Sequence, residues 1–167
     1  MLTAAYLIDK YHLQRHPEGG YYYETYRSTE LVQQHALPQR FSGDRCFSTA
    51  IYFLLVGDEF SSFHRIAADE VWHFYAGSPV EIVMIDPKGE AMTVFLGNDP
   101  EAGLVYQFRV PAGVWFASRC AVSDGFSFVG CTVAPGFDFA DFELAKKEEL
   151  TSLFPQHEQL ISRFSRC

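Results

Sequence analysis

The residues best suited to carry chemistry in this chain are a histidine and a glutamate placed close together. His64 ends one strand-like segment and Glu70 opens the next, with a short turn between them. On neighbouring antiparallel strands, two such side chains can point into the same cavity. A histidine, with an ordinary pKa of about 6.5, suits proton transfer near neutral pH, and a carboxylate can orient its ring. Because both residue types are also metal ligands, the pair predicts either an acid/base site or a metal site.

Short apolar segments bounded by Gly, Pro, Asp or Asn would form the framework around this pair. Most of them are rich in β-branched or aromatic residues and have the length of a strand. Many short strands with regular turn signals are typical of a sandwich or barrel. The predicted strands cover residues 21–28, 47–56, 61–66, 70–76, 80–86, 91–96, 105–110, 114–119 and 126–133.

The two ends of the chain have helical rather than strand-like patterns. Residues 2–13 predict a helix that stops before the turn at 16–20, since a proline disfavours helical backbone in the residue before it. Residues 138–153 and 155–164 predict C-terminal helices, and the polar residues 29–46 predict a long loop. The 167 residues suit one domain over the whole chain, 1–167.

The balance of charge excludes several classes of partner. The chain has 13 basic and 21 acidic residues and a net charge of -8, which argues against nucleic acid and against an anionic membrane surface. Its longest apolar run, residues 50–56, is far shorter than the ~20 residues of a membrane helix. The N-terminus lacks the pattern of a signal peptide, and the 4 cysteines have no CxxC spacing. We therefore expect a cytoplasmic protein with reduced thiols.

Two stretches of the chain resemble the two sequence motifs of the cupin superfamily. Gly57, His64, Glu70 and Gly77 follow the order of the first motif, and residues 111–116 (PAGVWF) follow the second. The interval from Glu70 to Gly77 has the length of the motif, whereas the interval from Gly57 to His64 is one residue longer. The resemblance assigns His64 and Glu70 to the position of the cupin site.

Longer segments resemble one cupin branch that is known only as a domain of unknown function. That branch is similar in fold to the dTDP-sugar 3,5-epimerases. The resemblance implies an all-β double-stranded β-helix, the cupin jelly roll, usually as a homodimer. Together with the helical ends, we expect a short N-terminal helix and C-terminal helices around it. The segments are HPEGGYYYETYRS, FHRIAADEVWHFYAG, VPAGVWFASR and GCTVAPGFDFADFELA.

The chain departs from the metal-binding cupins at two of the positions that usually hold ligands. Ile66 stands where the motif has its second histidine, and Phe116 stands where it has its third. His64 and Glu70 alone are fewer than the three protein ligands usual in catalytic zinc sites. Strand alternation turns His73 to the opposite face from Glu70, so it joins the site only if a bulge intervenes. We expect no metal and no cofactor.

Strand alternation also predicts which side chains line the cavity. Tyr23 is one of several tyrosines that could act as an acid, and Asp138 is a second, weaker candidate to orient His64. The remaining predicted lining is mostly apolar with a few hydroxyls, which fits a small-molecule site. It consists of Ser62, Ile66, Trp72, Phe74, Phe116 and Ser118.

Three functions from different classes remain open at this point. The first is a metal-independent isomerase or epimerase, in which His64 is the base and Glu70 orients it, as the epimerases use an oriented histidine. The second is a non-catalytic protein that binds a small polar or sugar-like ligand. The third is a metallo-cupin with a reduced site, which requires a third ligand that the sequence does not reveal. In the first two, the partner is a small molecule.

Overall fold

The structure, a computed structural model, describes residues 2–166 and is built mainly from β-strands. The strands of these residues are β1 (Gln14–Arg15), β2 (Tyr21–Arg27), β3 (Leu31–Val32), β4 (Arg45–Cys46), β5 (Thr49–Val56), β6 (Phe60–Arg65), β7 (Asp69–Gly77), β8 (Val80–Ile85), β9 (Ala91–Leu96), β10 (Gln107–Val110), β11 (Trp115–Cys120), β12 (Phe126–Ala134) and β13 (Glu143–Leu144). The α-helices are α1 (Ala4–Tyr11), α2 (Lys147–Leu153) and α3 (Glu158–Arg163). Short 3₁₀ helices cover Gln34–Ala36, Pro100–Ala102, Phe139–Asp141 and Pro155–His157.

The strands form two large antiparallel sheets that face each other, and this arrangement confirms the predicted jelly roll. The first sheet has the order β1-β2-β5-β12-β7-β10, and the second has the order β13-β6-β11-β8-β9. Strands β3 and β4 form a separate small ladder. Alternate side chains from both sheets meet in one apolar interior, because successive residues of a strand point to opposite faces. Its centre includes Phe53, Trp72, Phe74, Ile82, Met84, Phe116 and Val129.

Helices pack against part of the outer face of each sheet. Helix α1 begins after Thr3, whose hydroxyl accepts a hydrogen bond from the Tyr6 amide at 3.2 Å. It places Leu7 against the first sheet at Leu54 and Phe128. Helices α2 and α3 cover the second sheet with a second set of buried side chains, Leu150, Ile161 and Phe164. Within residues 2–166, none of the helices combines the length and hydropathy needed to cross a bilayer.

The predicted strands are all present, with ends that differ by one or two residues in most cases, but two other predictions were wrong. The long helix predicted for 138–153 is α-helical only over Lys147–Leu153. Before it, the chain forms a 3₁₀ turn and then β13, which pairs with β6. Pairing with an available sheet edge overrides the local helical pattern. The predicted loop 29–46 likewise contains the β3–β4 ladder.

The turn between β1 and β2 packs tightly against the neighbouring sheet. Gly19 has φ +116°, a conformation that favours glycine. A Cβ at this position would lie 2.1 Å from the Phe60 carbonyl oxygen. The Arg166 guanidinium donates a hydrogen bond to that same oxygen at 3.1 Å. The glycine therefore lets this turn reach β6, which is the strand that carries His64.

Candidate functional site

A cavity of about 260 Å³ opens at one end of the space between the two sheets. Its polar groups come from the turn before β2 and from strands β2, β6 and β7, and its apolar groups come from both sheets and from residues 137–142. The lining residues are His16, Glu18, Tyr22, Glu24, Arg27, Thr49, Ile51, His64, Ile66, Glu70, Cys131, Val133, Phe137, Phe139 and Phe142. A concave, largely apolar space with a few converging polar groups is the usual form of a small-molecule site.

A buried pair of Glu18 and His64 lies at the base of this cavity. The Glu18 Oε2 atom is 2.9 Å from His64 Nε2, and both side chains are more than nine-tenths buried. The Ser61 hydroxyl donates to the other carboxylate oxygen, Oε1, at 2.9 Å. The Ser62 amide also donates to the Glu18 carbonyl at 2.8 Å. These contacts hold the turn firmly against β6.

The contacts of His64 require a proton within this pair. Its Nδ1 atom lies 2.8 Å from the Ser62 carbonyl, which can only accept a hydrogen bond, so Nδ1 carries a proton. Burial, the largest influence, lowers the pKa of His64, but the charge and hydrogen bond of Glu18 together outweigh it and raise the pKa. Burial likewise acts to raise the pKa of Glu18, and His64, His16 and Ser61 outweigh it. The pair is therefore an imidazolium and a carboxylate.

A β-bulge in β6 decides which serine reaches the pair. Phe116 of β11 lies opposite His64 and Ser118 lies opposite Ser61, so β6 has one more residue than its partner over this stretch. An extra residue in one strand shifts the alternation of faces. Ser61 consequently points to the same side as His64 and donates to Glu18, whereas Ser62 meets His64 through its backbone.

Glu70 is a second buried carboxylate in the cavity, and its environment is different. It is 8% exposed, and no arginine or lysine of the described residues forms an ion pair with it. Burial raises its pKa to about 7, and the nearby Glu18 charge acts in the same direction. The charge of His64 and the Cys131 thiol offset part of this rise in the pKa. Glu70 can therefore both hold and release a proton near neutral pH.

A second bulge, in β2, turns an arginine toward the mouth of the cavity. Glu24 lies opposite Ile51 and Tyr26 lies opposite Ala50, so Thr25 is the extra residue. Arg27 then points to the same side as Glu24 and binds both of its carboxylate oxygens, at 2.7 and 3.0 Å. It also donates to the Phe137 carbonyl at 3.0 Å. The charge of Arg27 is thus already matched within the protein.

Three phenylalanines after β12 form one wall of the cavity. Phe137, Phe139 and Phe142 contact one another with ring centroids 5.0 to 6.4 Å apart. A buried ion pair between Arg45 and Asp141 fastens this segment to β4. The wall is therefore tied to the body of the protein at its base, although Phe139 itself is 53% exposed.

Comparison with known proteins places this architecture in a family. The sequence profile of the family described as "Cupin superfamily (DUF985)" matches residues 5–145 of the chain. This chain belongs to the cupin superfamily. An uncharacterized protein of Saccharomyces cerevisiae, YML079W, is 32% identical over 152 residues, which cover 86% of this cupin and 75% of the yeast protein.

Solved structures give the same result for the fold. Protein SO0799 from Shewanella oneidensis superposes with a TM-score of 0.89 at 43% identity and covers 99% of both chains. A hypothetical protein from Leishmania major gives a TM-score of 0.89 at 35% identity, over 99% of this cupin and 100% of the other chain. Oxalate decarboxylase from Bacillus subtilis gives 0.56 at 16% identity, over 95% of this cupin and 38% of its own chain. At that identity the likeness concerns the fold alone.

The cavity of this cupin contains three of the side chains that the sequence predicted for it. His64, Ile66 and Glu70 line it together. However, the carboxylate that orients His64 is Glu18 and not Glu70. His73 lies on the outer face, as strand alternation predicted, where its ring contacts Thr132 at 3.1 Å.

Most of the other predicted lining residues lie next to the cavity or away from it. Trp72, Phe74 and Phe116 pack in the apolar centre of the sandwich, and the Phe116 ring lies under His64 with centroids 4.0 Å apart. Ser118 is fully buried, and its hydroxyl has no partner among the described residues.

Two predicted residues lie on the surface instead. Tyr23 is 43% exposed on the outer face of β2, since its neighbours Tyr22 and Glu24 are the ones that face inward. Asp138 accepts a hydrogen bond from the Ala140 amide at 2.8 Å and caps the 3₁₀ turn. Neither side chain lines the cavity, so Tyr23 cannot serve as the acid in this conformation, and Asp138 does not contact His64.

Sequence reasoning missed His16 and Glu18, which bring two more titratable groups to the site. Both lie in the turn at 16–20, which has a proline between them and two glycines after them. Titratable residues in a loop of strongly constrained backbone are a recognisable signal for a site. The partner of Glu18, His64, lies far away in sequence, and only the contact between the sheets joins them.

The side chains of this cupin do not fit the metal site of the superfamily. Ile66 and Phe116 replace two ligand positions, and both ring nitrogens of His64 are engaged by Glu18 and Ser62. Across residues 2–166, no three His, Cys, Asp or Glu side chains are arranged to hold a metal ion.

Proposed function

We propose that this cupin binds a small, uncharged, hydroxylated molecule in the cavity and isomerises or epimerises it by proton transfer at Glu70. The observation that carries the proposal is the contrast between two buried carboxylates in one cavity. Glu18 is held as a carboxylate by His64 and Ser61, whereas Glu70 has a pKa of about 7. Two groups whose surroundings push their pKa values apart are typical of an acid/base site.

The proposal gives His64 a different role from the base that the sequence predicted. Both of its ring nitrogens already donate hydrogen bonds within the protein, so neither is free to accept a proton from a ligand. As a fixed imidazolium it places a positive charge near Glu70 and lowers the pKa of that carboxyl from what burial alone would produce. His64 is thus a positioning residue, and Glu70 is the candidate for direct proton transfer.

The charges around the cavity favour a ligand without phosphate groups. Arg27, the one arginine or lysine among the described lining residues, is bound by Glu24. An anionic ligand would have to compete with that pair for the guanidinium. Aromatic rings from the Phe137–Phe142 segment and from Tyr22 offer apolar faces, while Glu70 and His16 offer hydrogen bonds. A sugar-like molecule has matching apolar and hydroxylated faces.

The test is hydrogen exchange between solvent and bound ligand. Hydroxyketones and hydroxyaldehydes of three to six carbons, and the corresponding alditols, are first screened for a rise in Tm. Compounds that bind are then incubated with the protein in D₂O, and carbon-bound deuterium is measured by NMR. We expect deuterium in at least one carbonyl compound, and at least a 100-fold slower rate with Glu70→Gln.

A matched variant separates catalysis from a change in binding. Glu24→Gln alters a carboxylate at the mouth of the cavity and leaves Glu70 in place, so its exchange rate should remain within about tenfold of the wild type. Compounds that raise the Tm but acquire no deuterium would contradict the enzymatic proposal and support a ligand-binding protein. Exchange that persists unchanged in Glu70→Gln would contradict the role of Glu70.

We also propose that the chain forms a homodimer, as the sequence led us to expect. Tyr23, Tyr26 and Tyr75 lie on the outer face of the first sheet and are each 43 to 52% exposed. An uncovered aromatic face on a sheet supports contact with a second copy of the chain. Sedimentation at micromolar concentration should show a dimer, and a monomer would contradict this.

A further inference from the structure

His16 is a cavity residue whose chemistry the proposed function has not yet used. It lies in the turn before β2, and its ring is packed edge-on against Tyr22 with centroids 4.6 Å apart. Phe53, Phe139 and Phe142 also surround it, with centroids 6.0 to 6.4 Å away. The side chain is 8% exposed and lines the cavity. The ring is therefore held in a fixed orientation by its neighbours.

The hydrogen bonds of His16 determine which ring nitrogen carries its proton. The Glu18 backbone amide donates to His16 Nδ1 at 3.3 Å, so Nδ1 acts as an acceptor. Burial, partly offset by Glu18, lowers the pKa of His16, and the charge of His64 acts in the same direction. A neutral imidazole that accepts at Nδ1 carries its proton at Nε2. No described residue accepts a hydrogen bond from that Nε2, which leaves an N–H donor for a ligand.

We infer that His16 is the electrophile that polarises a ligand carbonyl while Glu70 removes the neighbouring proton, so that the substrate is an α-hydroxycarbonyl compound. This inference rests on the proposed function and adds its substrate class and its second catalytic residue. The enclosed ring, the Nδ1 that accepts from the Glu18 amide and the separate carboxylate in one cavity are the observations behind it. A neutral imidazole suits this role because it donates a hydrogen bond without surrendering its proton to the ground-state carbonyl.

The proposed proton transfer balances with Glu70 and His16 as the participating side chains. The Glu70 carboxylate takes the proton from the carbon next to the carbonyl, and the C–H electron pair forms a C=C bond. The carbonyl π pair moves to oxygen, where the His16 Nε2–H donates its hydrogen bond to the developing negative charge. Return of the proton from Glu70 to the former carbonyl carbon, with a proton shift between the oxygens, gives an isomer. Protonation of the original carbon by water on its opposite face, with release of the Glu70 proton to solvent, gives an epimer. No oxidant or reductant is required.

Two variants test this role with a matched pair of probes. Erythrulose contains the α-hydroxyketone, and erythritol is its reduced form without a carbonyl. His16→Phe keeps an aromatic ring but removes the donor, whereas His16→Gln keeps a neutral N–H donor. With the full-length protein in D₂O, we expect His16→Phe to slow exchange into erythrulose by at least about 100-fold. His16→Gln should be slowed at least about tenfold less than His16→Phe. In both variants, the loss of erythritol affinity should be much smaller than the loss of exchange rate in His16→Phe.

A ligand-free measurement keeps the inference testable on its own. In the ¹⁵N spectrum of the histidine-labelled protein at neutral pH, His16 should be the neutral Nε2–H form and His64 the doubly protonated form. A proton on His16 Nδ1 would overturn the inference whatever the ligand. Exchange that is equally fast in His16→Phe would overturn it while leaving the role of Glu70 intact. A wild-type protein that binds these compounds without exchange would overturn the proposed function and this inference together.

Discussion

The interior between the two sheets has a packed half and an open half, and the same strands build both. Strand β7 contributes Glu70 to the cavity and then, on the same face, Trp72 and Phe74 to the apolar centre. Strands β6 and β11 meet at the boundary, where His64 rests on Phe116. The packed half is filled by large side chains, whereas the open half contains paired and unpaired charges.

The packed half and the open half place different requirements on the sequence. Regular alternation is enough to fill the packed half, because any large apolar side chain of suitable volume can contribute to it. The open half depends on two bulges and one glycine-containing turn, which bring specific polar groups together. The candidate site in this fold is therefore a local departure from the regular sheet.

The largest expected effect on stability comes from truncating a large side chain in the packed half. Trp72 is 1% exposed and contacts both Phe53 and Phe116. Trp72→Ala should reduce the free energy of unfolding by about 3–5 kcal/mol, through lost burial and the cavity left behind. Urea denaturation monitored by far-UV circular dichroism measures this. A loss below about 1 kcal/mol would show that the two halves are less different than the packing indicates.

The next effect concerns the paired carboxylate of the open half. Glu18→Gln leaves the buried His64 charge without its counter-charge and should cost about 2 kcal/mol. The pKa of His64 is raised in the folded chain, so its contribution to stability is complete at pH values below the pKa of the unfolded chain. That contribution is lost as the pH rises through the pKa of the folded chain. The pKa of Glu18 is lowered in the folded chain, so its contribution to stability is present at pH values above the pKa of Glu18 in the unfolded chain. The cost should therefore be greatest between about pH 4.5 and 6.5.

An exposed ion pair provides the control for that variant. Glu143 pairs with Arg65 at 2.7 Å, and both side chains are 40% or more exposed. Glu143→Gln should change the free energy of unfolding by less than about 1 kcal/mol, with little dependence on pH. Equal losses in the two variants would contradict the assignment of Glu18 as a buried, charge-bearing partner.

Glu70→Gln should stabilise the protein, and only at higher pH. The raised pKa of Glu70 means that the unfolded chain releases this proton near pH 4.5, whereas the folded chain releases it at about 7. The wild type therefore loses stability as the pH rises between these values. The variant should match the wild type near pH 4 and exceed it by on the order of 1–2 kcal/mol at pH 8. Urea denaturation at both pH values measures this. A difference in the free energy of unfolding between variant and wild type that does not grow from pH 4 to pH 8 would contradict the prediction.

The smallest expected effect is at the aromatic wall of the open half. Phe139 is 53% exposed but lines the cavity. Phe139→Ala should change the free energy of unfolding by less than about 1 kcal/mol while weakening the Tm shift caused by any compound that binds. A large loss of stability with unchanged ligand binding would place Phe139 in the fold rather than in the site.

The fold was more predictable from the sequence than the site was. The strand segments, the helix before the turn at 16–20 and the inward face of Glu70, Trp72 and Phe74 follow from alternation and turn residues. Predictions failed where a bulge changed the alternation of faces, as at Ser62. They also failed where a segment with a helical pattern instead paired with the edge of a sheet, as at β13. Both failures arise from pairing with distant strands, which local patterns do not contain.

The sequence by itself determined that His64 and Glu70 would face one interior, because two-residue periodicity turns both side chains inward. The expectation that their strands are neighbours was wrong, since β6 and β7 follow each other in the chain but lie in opposite sheets, where their pairing partners are distant strands. Only the tertiary structure decided that Glu18 would become the partner of His64 and leave Glu70 with a pKa of about 7. Burial of a charge depends on the whole surrounding surface, and the partner of a buried charge can come from any part of the chain. The identity of the candidate acid/base residue was therefore set by packing between the sheets.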